Sequence, residues 1–293
     1  MILTYNNKII SYNNKMVSNQ LPDNTILFKF GAAGYDPSSL TTLTGATWTR
    51  ISAEPNVWLW DASGVEIANW AQAFYKKFTS FNTTGYVDII GAGELTIPIV
   101  IGQQIGSSSY YGMLKNNNNT LRSVCYLSFP NAELAQDLLS GNSSLLRTEG
   151  LNLPKATTFQ SIFKGCINLD SIGSITSSPS LTNCRQLFYS CKKLTTVPLF
   201  DTSNVTNMQR MFYGCTSLTT VPLFNTSKVS DMDEAFIGCI NVQSGALALY
   251  QQASTQSYPP TSHIDTFRGC GSNTITGAAE LAQIPTSWGG TMA

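Results

Sequence analysis

The chain has 293 residues with 17 basic and 17 acidic side chains, and 12 % of its residues are charged, about half of the usual share. Because there is neither a net positive charge nor a Lys/Arg cluster to neutralise phosphates, nucleic acid is not an expected partner. The longest apolar runs, such as Leu95 to Ile101, are far shorter than the roughly 18 residues of a membrane helix, so no membrane span is predicted.

Residues 1–26 contain two strand-like runs, Ile2 to Tyr5 and Lys8 to Tyr12, separated by Asn6-Asn7. Because Asn favours tight turns, this segment is predicted to form a β-hairpin. A solitary hairpin is marginal in water, so we expect it to pack on its own chain or to anchor the protein to a neighbour. The segment also lacks the basic start and unbroken apolar run of a secretory signal.

Residues 27–85 are dense in aromatic side chains, with four tryptophans at positions 48, 58, 60 and 70. We interpret this segment as a small, β-rich N-terminal cap. An open end of a repeat array exposes core side chains and strand edges, which such a cap would cover.

From residue 163 onward, an aromatic-x-x-Cys anchor recurs at intervals of 25, 24, 24 and 31 residues. A period in the twenties is typical of leucine-rich repeats. The five anchors begin at Phe163, Phe188, Phe212, Phe236 and Phe267.

Each predicted unit combines a short strand with a short helix. The runs Leu194 to Phe200 and Leu218 to Phe224 indicate strands, whereas the spacing of Val205, Met208 and Met211 suits one face of a helical turn. The frame extends backward to residue 86, so residues 86–293 are predicted to hold about seven units. The predicted fold class is therefore an α/β solenoid with short strands and short helices.

The anchor cysteines occupy a single column, which Asn occupies in two earlier units. Because both side chains can donate hydrogen bonds to backbone carbonyls, the column is predicted to be a buried structural ladder. Disulfides between adjacent units and a metal site are the alternatives, although a linear column is a poor match for tetrahedral zinc. The predicted ladder consists of Asn117, Asn142, Cys166, Cys191, Cys215, Cys239 and Cys270.

The run FDTSNVTNMQRMFYGCTSLTTVPLF, residues 200–224, resembles the BspA-type leucine-rich repeat. Members of that family are often bacterial surface adhesins. The paired YNNK stretches and residues 45–58 also resemble repeat proteins encoded by phages and prophages of gut Bacteroidales, which implies a virion component that is released by lysis.

No enzyme is predicted, because the chain contains no nucleotide-binding or hydrolase motif. The only histidine, His263, falls in a column shared with Met208 and Met232, which favours a structural role over acid-base chemistry. The acidic run from Asp231 to Glu234 lacks the glycine and distal glutamate of a calcium loop, so it is interpreted as a solvated helix face. We predict no cofactor and no metal.

Outward aromatic side chains are the candidate contact surface: Tyr110, Tyr111, Tyr189 and Tyr213. Such rings could meet a protein or stack on a sugar of a host glycan.

The resulting hypothesis is a non-enzymatic phage virion structural protein, for decoration or fibre-type attachment, made in the host cytoplasm. Its expected partners are other virion proteins through the N-terminal region, a host surface protein or glycan, and further copies of the chain. The alternative is a secreted bacterial adhesin at the cell surface.

Overall fold

The computed structural model describes residues 2–5, 8–12, 15–16, 21, 23–31, 36–37, 46–52, 56–63, 86–93, 95, 99–100, 102–105, 109–112, 114–115 and 120–292. In chain order its strands are β1 (Ile2–Tyr5), β2 (Lys8–Tyr12), β3 (Lys15–Met16), β4 (Thr25–Phe30), β5 (Thr47–Ser52), β6 (Asn56–Asp61), β7 (Val87–Ala92), β8 (Ile99–Val100), β9 (Gly102–Ile105), β10 (Ser109–Gly112), β11 (Leu121–Val124), β12 (Leu127–Ser128), β13 (Ala132–Leu134), β14 (Arg147–Asn152) and β15 (Ser171–Thr176). Two α-helices follow, α1 (Ala246–Thr255) and α2 (Ile275–Leu281), and then a 3₁₀ helix at Thr286–Trp288.

The main sheet is mixed and has eight strands. β5, β6, β4 and β7 pair antiparallel in that order, and β7, β11, β14 and β15 continue the sheet in parallel, with β12 also pairing with β14. The aromatic-rich segment thus joins the same sheet and covers the free edge of β7. The domain boundaries at residues 26 and 85 remain predictions.

The N-terminal strands β1, β2 and β3 form a separate antiparallel sheet, in which Tyr5 lies opposite Lys8. β1 lies close to β5 at the edge of the main sheet. The first residues therefore approach the aromatic-rich segment of their own chain.

The chain also forms stacked turns, which we define as the six segments that begin at the bridge positions. The first two segments contain β14 and β15 of the main sheet. At its bridge position, each segment pairs in parallel with the next. These bridge positions are Leu134, Thr158, Asn183, Asn207, Asp231 and Ser262.

The predicted α/β solenoid is wrong. The sheet is mixed and has eight strands, and the described residues contain only two short α-helices, both beyond residue 245. Where a helix was expected near Met208, the backbone N–H groups of Met208, Arg210 and Phe212 donate to the next turn, at 2.8 to 2.9 Å. Because these donors are engaged between turns, they make no helical i to i−4 bonds.

The strands expected at 194–200 and 218–224 are also absent. Pro198 and Pro222 lie in the middle of these runs and carry no N–H to donate to a parallel neighbour. In this region only Thr220 forms a bridge, with Ser244.

A stack of aromatic rings fills the centre of the turns. Successive anchor rings from Phe163 to Phe267 lie 5.1 to 5.7 Å apart, all nearly parallel or moderately tilted. Trp288 closes the far end, 6.4 Å from Phe267. Burial of these rings contributes to the hydrophobic stabilisation that holds adjacent turns together.

Candidate binding surface

Three residues after each bridge position, a non-glycine residue lies in the left-handed backbone region, with φ between 54° and 59°. Its carbonyl accepts a hydrogen bond from the N–H three residues later. These six residues are Asp137, Ser161, Gln186, Arg210, Glu234 and Asp265. Such backbone costs about 1 kcal/mol for a residue with a side chain. These positions carry polar side chains despite that cost, which glycine would avoid.

The residue three positions later differs in burial between turns, from the buried Ser140 and Ile237 to the exposed Arg268. In two adjacent turns it is Tyr189 and Tyr213, whose rings stack 4.9 Å apart with an interplanar angle of 7°. The Lys164 ammonium lies 5.3 Å from the centre of the Tyr189 ring. Because these three side chains follow one another in consecutive turns, Tyr189 has a neighbour on each ring face.

We call this surface the tyrosine face. It comprises Lys164, Arg185, Gln186, Tyr189, Arg210, Tyr213 and Glu234. Both tyrosines are half-buried, so they present their edges and hydroxyl groups outward more than their ring faces. This arrangement suits hydrogen bonding and edge contacts with a protein better than stacking on a sugar.

The tyrosine face contains an internal ion pair. The Arg210 guanidinium donates two hydrogen bonds to the Glu234 carboxylate, at 2.7 and 3.1 Å. This hydrogen bonding raises the pKa of Arg210 above its usual value. The pair is fixed by two parallel bonds, which orient it more precisely than a single contact would.

Lys164 is held differently. Its ammonium donates to the Gln186 side-chain oxygen at 2.9 Å. Burial lowers the pKa of Lys164 and Asp137 opposes this effect, while the charges of Lys115, Arg185 and Arg210 lower the pKa further.

The ladder residues lie on the inner side of the turns. Cys191, Cys215 and Cys239 each donate through Sγ to a carbonyl of the preceding turn at 3.0 to 3.1 Å. Cys166 and Asn142 both donate to the Leu139 carbonyl, at 3.2 and 2.7 Å. Asn142 also donates to Leu114 O at 2.7 Å.

The thiols are free and fully buried. Burial raises the pKa of Cys166 and of Cys239 to about 12, and raises the pKa of Cys191, Cys215 and Cys270 well above the usual value. They are therefore protonated near neutral pH and are poor nucleophiles. Asn117 lies outside the described residues, and of Tyr110 and Tyr111 only the backbone, in β10, is described.

His263 lies at the end of the stacked turns. Its ring stacks on Trp288 at 4.2 Å, and Nδ1 is 3.2 Å from the Ser287 carbonyl. The imidazole thus closes the column that contains the buried Met208 and Met232.

The acidic run from Asp231 to Glu234 forms a turn and not a helix. Asp233 accepts from the Ser262 hydroxyl and from the Ile264 N–H, both at 2.7 Å, while Glu234 binds Arg210. Within the ranges that the structure covers, no group of three His, Cys, Asp or Glu side chains could hold a metal ion.

Sequence reasoning missed the left-handed column. A signal was available, because the residue two positions before each anchor phenylalanine is always polar. The pairing of Lys164 with Gln186 and of Arg210 with Glu234 could not be predicted, since it depends on how successive turns align.

The comparisons with known proteins are limited to part of the chain. A family model described as "Mycoplasma protein of unknown function, DUF285" matches residues 142–248. The matched segment includes the whole tyrosine face. No curated protein and no solved structure matches the chain.

The helices give no sign of membrane insertion. Within the described part of the chain, neither α1 nor α2 has the length or the apolar character that crossing a bilayer requires.

Proposed function

We propose that the protein is a non-enzymatic structural component of a phage particle and that its tyrosine face binds a protein. The observation that carries the binding role is the column of strained, non-glycine turn residues beside the stacked Tyr189 and Tyr213. Tyrosine and arginine are the residue types most enriched where protein interfaces bind tightly. Backbone strain retained at one surface is typical of a functional site.

The chemistry of the ladder thiols and of His263 supports a role without catalysis. The ladder thiols donate hydrogen bonds to the backbone and have raised pKa values. His263 is stacked on Trp288. Neither group is arranged as an activated nucleophile and its base.

The N-terminal strands β1 to β3 are the proposed anchor to other virion proteins. Their sheet is small, and a three-stranded sheet of such short strands gains little stability by itself. Pairing with another virion protein or with a second copy of the chain would extend it.

The binding role is tested with a Tyr189→Ala/Tyr213→Ala variant. We expect this variant to lose association with purified particles and with host cells, whereas Tyr258→Ala, at a position 82 % exposed outside the face, retains it. A Tyr189→Phe/Tyr213→Phe variant keeps the ring stack and controls for folding. Equal association of the alanine variant and the unaltered protein would refute the proposed binding surface.

A bacterial surface adhesin is the second candidate, and a match to a family described from a bacterium, Mycoplasma, is compatible with it. Mass spectrometry of the particle and cell-envelope fractions separates the two. A chain found in the envelope and absent from particles would support the adhesin, and the reverse would support the virion protein.

A further inference from the structure

Positive charge gathers at one end of the tyrosine face. Lys115, Arg185 and Arg210 lie close enough to Lys164 to lower its pKa, and Asp137 opposes them. Lys115 pairs with Asp137 at 3.5 Å, and Arg210 pairs with Glu234 at 2.7 Å. Among the described residues, Lys164 and Arg185 have no carboxylate within ion-pair distance.

A second, independent observation is that, within the ranges that the structure describes, Arg185 lacks a hydrogen-bond acceptor for one of its nitrogen atoms. Its Nε is buried, and the described part of the chain offers this atom no hydrogen-bond partner. A buried guanidinium nitrogen without an acceptor is costly, and an anion at this position would remove that cost.

The other end of the same surface does not complement this charge. Asp233 accepts hydrogen bonds from Ser262 and from the Ile264 N–H, and Asp265 pairs with Arg268 at 3.0 Å. Because these two carboxylates are already engaged within the chain, they are poorly suited to bind Lys164 and Arg185 of a second copy.

We propose that the tyrosine face receives an acidic segment of a partner protein, with a carboxylate of that segment bound by Lys164 and Arg185. This inference rests on the proposed protein-binding function and names the chemistry of the partner. A protein segment is favoured over an acidic glycan because the rings of Tyr189 are occupied on both faces. The exposed hydroxyl groups and edges of the two tyrosines would contact the same segment.

The test uses the full chain and three fluorescent probes: an octaglutamate peptide, an octaglutamine peptide and a hyaluronan oligosaccharide. We expect octaglutamate to bind with an affinity that falls as salt rises, and octaglutamine not to bind. A Lys164→Met/Arg185→Met variant should bind octaglutamate at least tenfold more weakly. The matched control is Lys228→Met, an exposed lysine that bonds Asn204 outside the face.

Three outcomes would overturn the proposal. They are unchanged octaglutamate affinity in the double variant, an equal loss in Lys228→Met, or binding of hyaluronan without binding of octaglutamate. If the tyrosine variants lose particle association while Lys164→Met/Arg185→Met retains it, the acidic partner is refuted and the proposed function stands.

Lysine acylation supplies a readout that does not depend on affinity. Octaglutamate should slow the acylation of Lys164 severalfold and leave the acylation of the exposed Lys228 unchanged. Mass spectrometry of labelled peptides measures both rates. Unchanged labelling of Lys164 at saturating octaglutamate would place the peptide elsewhere and contradict the proposal.

Discussion

At the residue scale, the buried thiol of Cys239 makes the unfolding free energy depend on pH. Its thiol has a pKa of about 12 in the folded chain, whereas an unfolded thiol titrates near about 8.5. The folded state keeps a proton that the unfolded state loses, so this contribution to stability is complete below about pH 8.5 and is lost as the pH rises toward about 12.

A Cys239→Ser variant removes this titration and keeps a hydroxyl that can donate to Phe212 O. Between about pH 9 and 11, the unaltered protein should lose about 1.4 kcal/mol more unfolding free energy per pH unit than the variant does. Urea unfolding across this range measures the difference. If the difference in unfolding free energy between the two proteins does not change with pH, the thiol titrates alike in the folded and unfolded states, which contradicts the raised pKa.

Ser190 occupies a left-handed position, φ 58°, where equivalent turns have glycine. Ser190→Gly should raise the unfolding free energy by roughly 0.5–1 kcal/mol, because glycine adopts this backbone without a Cβ penalty. Gly214→Val at the equivalent site should lower it by more than about 1 kcal/mol. Thermal and urea unfolding test both variants, and a destabilised Ser190→Gly would contradict this interpretation.

The anchor period predicted which cysteines share a column, and the structure places a hydrogen-bonded thiol in four successive turns. Residue preferences did not predict the backbone conformation of the turns, because Arg210 and Glu234 have no intrinsic preference for positive φ; only the recurring polar residue before each anchor marked these positions. The sequence could locate Tyr189 and Tyr213 on one surface, but their face-to-face stacking depends on the alignment of turns.

At the element scale, Phe212 lies between two rings of the central stack. The centres of Phe188 and Phe236 are each 5.1 Å away. Phe212→Ala should lower the unfolding free energy by about 3–5 kcal/mol, since it leaves a cavity between two turns. Phe212→Leu fills most of that space and should cost far less. A loss below about 1 kcal/mol for the alanine variant in urea unfolding would contradict the stacked core.

The mistaken helix prediction also belongs to this scale. A spacing of three and four apolar residues, as in Val205, Met208 and Met211, fits a helix and a stacked turn equally well. The choice is made by the N–H groups of Met208, Arg210 and Phe212, which donate to carbonyls 23 residues away along the chain. The two helices that do form contain no proline and lie at the C-terminal end of the stack.

At the scale of the whole molecule, the two ends of the stacked turns are closed by different means. Antiparallel strands cover the first parallel strand, whereas Trp288 covers Phe267 and His263 at the last turn. Trp288→Ala should lower the unfolding free energy by about 3 kcal/mol or more. Hydrogen exchange should also become faster at the Phe267 N–H, which donates to Trp288 O at 2.8 Å. Unchanged protection of that amide would show that Trp288 does not close the stack.

The central claim is that the protein belongs to a particle and contacts another protein through the tyrosine face. The most direct measurement places a photo-crosslinking amino acid at Tyr213 and identifies crosslinked peptides in purified particles by mass spectrometry. The account predicts crosslinks to an acidic segment of a second protein, and none from a crosslinker at Tyr258. Particles that lack the chain, or crosslinks equally frequent at both positions, would contradict it.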